Sequence, residues 1–159
     1  MNTVYLLLGS NQGDRKALFD MATLAIETQI GPVTKQSSLY ESEAWGVTDQ
    51  ALFLNCVLAV ETLLDAESTL QQALLIEKSL GRVRHERWTE RTIDIDLLYF
   101  NNDIYTSPNL CIPHPEIQNR RFTLVPLCEI VPYKIHPVLQ KSQEALLHTC
   151  ADKLKVWVV

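Results

Sequence analysis

Two periods of apolar residues run through this chain, and each change of period marks an element. Thr3 to Gly9 is a short apolar run that stops at Gly-Ser-Asn, the pattern of a buried strand entering a turn. Asp14 then opens a helix. Leu18, Met21, Ala22 and Ala25 recur at helical spacing, and Gly31-Pro32 ends it. Val33 to Ser42 predicts a second strand, Ala44 to Gln50 a loop containing Gly46, and Phe53 to Thr62 a central strand. Asp65 caps a second helix that carries Leu70, Ala73, Leu74 and Glu77 on one stripe and closes at Gly81. A polar, arginine-rich stretch from Arg82 to Arg91 leads into a strand over Thr92 to Phe100, and Asn101-Asn102-Asp103 turns the chain.

Strand, helix, strand, strand, helix, strand predicts an α+β fold, a ferredoxin-like βαββαβ antiparallel sheet with helices on one face. Six of the seven prolines lie beyond residue 100, so residues 106–159 read as an irregular C-terminal extension with short helices. Ser142 to Lys153 is the clearest of these, with Leu146, Leu147 and Cys150 as its stripe. No linker, repeat or low-complexity segment interrupts the pattern. Residues 1–159 therefore read as a single domain, with a core over 1–105 and the extension over 106–159.

Composition narrows the function. A chain of 159 residues can bury a core without disulfides or a structural metal, and 47% apolar against 21% charged residues excludes wholesale disorder. Fourteen basic against 19 acidic residues leave a net charge of −5, which argues against a nucleic-acid coat protein, since phosphate binding at scale needs a positive surface. No apolar run approaches the roughly 18 residues of a membrane span, and the N-terminus lacks the basic start and cleavage site of a signal peptide. Cys56, Cys111, Cys128 and Cys150 are far apart and form no CxxC pair, as reduced thiols packed like small hydrophobes do. The expectation is a cytoplasmic monomer that acts on small molecules, away from nucleic acid and membrane.

The sharpest anomaly is Asp94-Ile95-Asp96, because aspartate is disfavoured in strands. Strand alternation sets both carboxylates on one face, roughly 6.5–7 Å apart along the backbone, while Ile93, Ile95 and Leu97 point into a core. Such a pair suits Mg²⁺, which takes one or two carboxylates and completes its shell with water and phosphate oxygens. The plainer reading is a solvated strand face. Arg82, Arg84, Arg87 and Arg91 precede the pair, and Arg120 and Arg121 follow it. Six of the seven arginines thus fall in two clusters of an acidic chain. Guanidinium groups grip phosphate bidentately, and a metal-binding acid pair beside them is what phosphoryl transfer needs. The alternative is a surface loop whose Arg and Glu pair with one another.

Other residues leave more open. Phe53 and Asn55 share a strand face, an aromatic plate beside an amide, which suits the face and edge of a heterocycle or, equally, a core phenylalanine and a satisfied asparagine. Glu77 is a rim acid or a salt-bridge partner. His114, held between Pro113 and Pro115, reads as a phosphate donor or as structural. His85, His136 and His148 share no ligand spacing with it, so zinc is not expected. Gly9-Ser10-Asn11-Gln12-Gly13 matches no phosphate-loop spacing and reads as turn chemistry. The residues alone admit phosphoryl transfer, nucleotidyl transfer by the same acids, or a non-catalytic ligand-binding module. The last has no need of two aspartates inside an apolar strand.

Arg87 to Leu98, read as RWTERTIDIDLL, closely resembles the signature of the 6-hydroxymethyl-7,8-dihydropterin pyrophosphokinase family. Gly9-Ser10-Asn11, Phe53-Leu54-Asn55, Gly81 to Arg84, and Pro113-His114 with Asn119-Arg120 and Phe122 look like its other landmarks in the same order, over about residues 3 to 130. The resemblance implies transfer of a pyrophosphoryl group from MgATP to the hydroxymethyl of a reduced pterin, with AMP released and the product feeding folate synthesis. It implies that Asp94 and Asp96 hold two Mg²⁺ ions and that Arg82 and Arg91 stabilise the transferring group. Arg84, Trp88, His114 and Arg120 would line the ATP site. Asn55 would read the pterin edge and Phe53 and Phe122 its ring, with Trp45 and Glu77 also on the pterin side. Thr89, His85 and Pro115 differ from residues found there in the family, and Glu43-Ala44-Trp45 lacks the prolines common in its pterin-side loop.

Overall fold

The long apolar runs of the first hundred residues become neighbouring strands of one sheet. The computed structural model describes residues 1–44, 51–81 and 93–159. Its elements are β1 (Asn2–Ser10), α1 (Arg15–Gln29), β2 (Val33–Gln36), β3 (Tyr40–Ser42), β4 (Phe53–Thr62), α2 (Ala66–Gly81), β5 (Asp94–Phe100), β6 (Tyr105–Thr106), β7 (Cys111–Ile112), a 3₁₀ turn (Ile117–Asn119), α3 (Arg121–Ile130), α4 (Gln143–His148) and β8 (Val156–Val158). Strands run in the order β5-β1-β4-β3-β8, with β2 also on β4, and every pair is antiparallel. This is the expected βαββαβ order, with the second strand broken in two.

Local chemistry sets the ends of the helices. Asp14 caps α1 by accepting from the Ala17 N–H (3.1 Å), and Asp65 accepts from the Ser68 N–H (2.8 Å) at the start of α2. At Gly31 a Cβ would stand 1.9 Å from the Glu61 carbonyl oxygen. Only glycine lets the chain leave α1 so close to β4. The break in the second strand is also local: the buried Ser37 turns its hydroxyl inward to accept from the Val57 N–H (2.9 Å), replacing a backbone rung.

Alternation along the strands sorts the sheet into two faces, and both are covered. Val4, Leu6 and Leu8 of β1 meet Phe19, Ala22 and Ile26 of α1 and Ala73, Ile76 and Leu80 of α2 in one core. The other face buries Leu7, Val57, Leu98 and Tyr99 beneath Ile117, Leu124, Leu127, Leu146 and Cys150. Beyond residue 106, where an extension with short helices is expected, the chain lays α3 and α4 on the second face. Pro126 sits inside α3. Ser142 caps α4 as read, accepting from the Ala145 N–H (3.1 Å), but the helix ends at His148, short of Lys153. β8, unanticipated, pairs with β3 at the sheet edge. A register shift between Tyr5 and Leu6 leaves Leu98 as an extra residue, so Leu98 and Tyr99 both reach the second core.

Candidate active site

Alternation along β4 and β5 builds the floor of a cleft. Leu54, Cys56 and Leu58 enter the helical core, which turns Phe53 and Asn55 to the opposite face. Ile93, Ile95 and Leu97 do the same, which turns Asp94 and Asp96 beside them. Between the two strands β1 supplies Gly9, paired with Asn55 on one side and Asp94 on the other, while Leu7 pairs with Asp96. A Cβ at Gly9 would lie 3.4 Å from Asn55 Oδ1, so bare backbone keeps this floor open. Arg120 and Phe122, at the start of α3, form one wall, and Ser42 and Glu43, at the end of β3, another. Together they enclose a cavity of about 210 Å³. The Arg120 guanidinium lies 5.8 Å from the Phe122 ring centroid, within cation–π range.

The amide of Asn55 is held. Its Nδ2 donates to Ser42 Oγ at 2.8 Å, and both residues are buried. One N–H is thus spent inside the protein, and the second N–H and Oδ1 remain to face a ligand. His114 is tied to the acid strand, its N–H donating to the Leu98 carbonyl (2.9 Å). Its Nδ1 accepts from the Glu116 N–H (3.1 Å), which assigns the proton of the neutral ring to Nε2. Burial pulls its pKa below the usual imidazole value. Asp96 works in the opposite direction and Arg120 in the same one, so the ring stands in the field of both.

Six of the expected residues thus meet in one cleft: Phe53, Asn55, Asp94, Asp96, Arg120 and Phe122. Glu77 does not join the described residues that line it. It is buried on α2 and accepts from the backbone N–H of Ile95. α2 packs on the helical face of the sheet, away from the cleft. Arg82, Arg84, Trp88, Arg91 and Trp45 lie outside the described residues. Ser42, Glu43 and Leu7 were not anticipated. A serine that ends a strand carries no local sign that its hydroxyl will orient an amide on the next strand. Glu43 Oε1 accepts from the Lys155 N–H (3.0 Å), which ties the C-terminal segment to the cleft rim.

The donor set fits a hard divalent cation. Asp94 and Asp96 offer oxygen alone, from one wall of one cavity. Among the described residues no group of three or more His, Cys, Asp and Glu gathers around a metal position. Two carboxylates with the remaining positions left to water and phosphate oxygens is the usual Mg²⁺ arrangement in phosphate-handling sites.

Comparison with known proteins points the same way. The profile of the 7,8-dihydro-6-hydroxymethylpterin-pyrophosphokinase (HPPK) family matches residues 5–132. The 2-amino-4-hydroxy-6-hydroxymethyldihydropteridine pyrophosphokinase of Aquifex aeolicus is 40% identical over 141 residues, covering 89% of this chain and 88% of that protein. Its Bacillus subtilis counterpart is 41% identical over 130 residues, covering 81% of this chain and 78% of that protein. Among solved structures, wild-type Plasmodium falciparum HPPK-DHPS with pterin and p-hydroxybenzoate superposes with a TM-score of 0.72 at 19% identity. The match covers 92% of this chain but only 42% of that fused chain, so it carries the fold alone. With the profile spanning most of its length and close curated relatives aligned nearly end to end, the chain belongs to the 7,8-dihydro-6-hydroxymethylpterin-pyrophosphokinase family.

Proposed function

We propose that this cleft transfers a pyrophosphoryl group from ATP to the hydroxymethyl oxygen of 6-hydroxymethyl-7,8-dihydropterin, releasing AMP, as a step of folate biosynthesis. The observation that carries the reading is the shared cavity, lined both by an acid pair and an arginine and by two phenylalanines and an oriented amide. The acid pair suits a polyphosphate with its metal, and the phenylalanines suit a flat heterocycle.

Phe53 and Phe122 face the pterin ring, and Asn55 reads its edge with the N–H and Oδ1 that Ser42 leaves available. Asp94 and Asp96 would hold two Mg²⁺ ions on the ATP side of the cleft. Bound there, Mg²⁺ would offset the negative charge of the phosphates. The hydroxymethyl oxygen forms its bond to the β-phosphorus of ATP as the bond to the oxygen bridging the α-phosphate breaks. The bridging oxygen leaves with AMP, and the hydroxyl proton is released. Arg120 lends positive charge to the polyphosphate, and His114 stands beside it as an Nε2 donor. Arg82 and Arg91 stabilise the transferring group, with Arg84 and Trp88 on the ATP side and Trp45 on the pterin side, as the family resemblance implies. Pterin and metal-bound phosphates meet over Gly9, where no side chain separates Asn55 from Asp94.

The test is AMP formation from ATP and the pterin. Asp94→Ala and Asp96→Ala are each expected to lower turnover about a thousandfold, the worth of several kcal/mol of metal-supplied charge stabilisation. Full turnover in both variants removes the metal assignment, and pyrophosphate in place of AMP indicates nucleotidyl transfer instead. We further propose that residues 1–159 act as one domain, monomeric and cytoplasmic. The four cysteines support this by standing as free thiols. No helix of the described residues is long and apolar enough to cross a membrane.

A further inference from the structure

The mechanism above leaves a buried carboxylate without a task. Glu77 is 5% exposed on α2, its helix neighbours Ala73, Ile76 and Leu80 all packed in the core. A leucine or methionine there would avoid the cost of desolvating a charge. The carboxylate instead accepts from the backbone N–H of Ile95.

That N–H is significant for two reasons. Among the described residues β5 is the edge of the sheet, with β1 on one side and no strand on the other. An edge strand presents N–H groups that the sheet does not satisfy, and a buried one needs a partner from elsewhere. Ile95 also lies between Asp94 and Asp96. Its side chain is anchored in the same core as Ile76 and Leu80, and its N–H is anchored by the carboxylate between them in sequence. The peptide joining Asp94 to Ile95 is therefore held by its β1 partners on one edge and by α2 on the other.

We propose that Glu77 is a positioning residue for the Asp94/Asp96 pair. Its charge-assisted hydrogen bond to Ile95 fixes the strand segment from which both carboxylates project into the cleft. The proposal rests on the reading of Asp94 and Asp96 as the metal-holding pair. Groups that orient metal ligands without touching the metal characteristically govern affinity by about 10- to 100-fold. Glu77 does so here through the backbone, from the opposite side of the sheet.

The experiment compares Glu77→Leu and Glu77→Gln with the wild-type chain. The first removes the acceptor at similar volume, and the second keeps an acceptor but loses the charge. In metal-free protein, amide exchange at Ile95 is expected to quicken about tenfold or more in Glu77→Leu, relative to the core amides of β4. In Glu77→Gln it should quicken less, with the Ile95 amide proton resonance moved upfield. Calorimetric titration of Mg²⁺ in the presence of a non-hydrolysable ATP analogue should show affinity weakened about 10- to 100-fold in Glu77→Leu and largely restored in Glu77→Gln. Pterin affinity should stay within about twofold of wild type in both, because neither variant touches a pterin contact.

Wild-type Mg²⁺ affinity in folded Glu77→Leu overturns the proposal. So does loss of pterin affinity with metal affinity intact, which would make Glu77 a substrate contact. Should Glu77→Leu not fold, Glu77→Gln decides: an unmoved Ile95 resonance or Mg²⁺ affinity indistinguishable from wild type overturns the proposal, and an upfield-shifted resonance with Mg²⁺ affinity weakened by only about a few-fold supports it. Asp94→Asn in the same titration separates the two readings. If it binds Mg²⁺ as wild type does, the acid pair itself is misassigned. If it loses Mg²⁺ while Glu77→Leu does not, only the positioning role fails.

Discussion

Replacing Asn55 by alanine tests the recognition end of the cleft, and the structure sets the size of the effect. The amide can make four hydrogen bonds at most, two as donor and two at the oxygen. One donor is committed to Ser42 Oγ at 2.8 Å. Counting one bond to Oδ1 and one to the second N–H, the pterin gains two hydrogen bonds from this residue. At about 0.5–1.5 kcal/mol each, their loss totals about 1–3 kcal/mol, or roughly 5- to 150-fold in pterin affinity. ATP affinity should hold within about twofold, because Gly9 of β1 intervenes between Asn55 and Asp94. The fold should weaken by about 1–3 kcal/mol, since the buried Ser42 hydroxyl loses its partner. Calorimetric titration of each substrate into Asn55→Ala, with a thermal melt alongside, reads all three quantities. Unchanged pterin affinity in a folded variant refutes the reasoning. An equal loss for both substrates refutes it too, since that would mean the cleft had collapsed as a whole.

Other expectations follow from packing and protonation. Gly31→Ala forces a Cβ to within 1.9 Å of the Glu61 carbonyl oxygen, a backbone atom that cannot rotate away. A stability loss of about 1–3 kcal/mol or more in urea titration is expected, and an unchanged midpoint would contradict the close approach. His136 is buried against Tyr99, with ring centroids 5.7 Å apart, and its Nδ1 accepts from the Val138 and Leu139 N–H groups at 3.2 and 3.1 Å. Burial, assisted by Lys134, depresses its folded pKa. The unfolded chain therefore takes up a proton first as pH falls. Stability should decline from an unfolded pKa of about 6.5 downward until the folded value is passed. Urea midpoints for wild type and His136→Phe between pH 7.5 and 5.5 check this, and equal slopes would rule out His136 as the source. Ser142→Ala removes the cap that bonds the Ala145 N–H and should cost α4 about 1 kcal/mol, read as a lower melting temperature.

Much of the fold was legible in local pattern. A strand read as Phe53 to Thr62 and a helix capped by Asp65 appear where the periodicity puts them, because alternation and capping depend on residues a few positions apart. The same local rule found Asp94 and Asp96 on one face, since their neighbours Ile93, Ile95 and Leu97 are core residues in any fold that buries that strand. The segment beyond residue 106 was less legible. Its proline content speaks against regular structure, yet α3 forms around Pro126 because Leu124 and Leu127 bury against the second face of the sheet. Tertiary burial outweighs local propensity there.

For this chain, periodicity by itself determined which residues share a face of their own strand or helix, and the run of motifs determined the family it resembles. Only the tertiary structure decided that Gly9 separates Asn55 from Asp94, that Ser42 orients the amide, and that Glu77 holds Ile95 from the far side of the sheet. Those relations join residues tens of positions apart. Which backbone N–H an edge strand leaves unsatisfied, and which side chain reaches it, depends on strand order and helix placement, and these exist only once distant segments have packed.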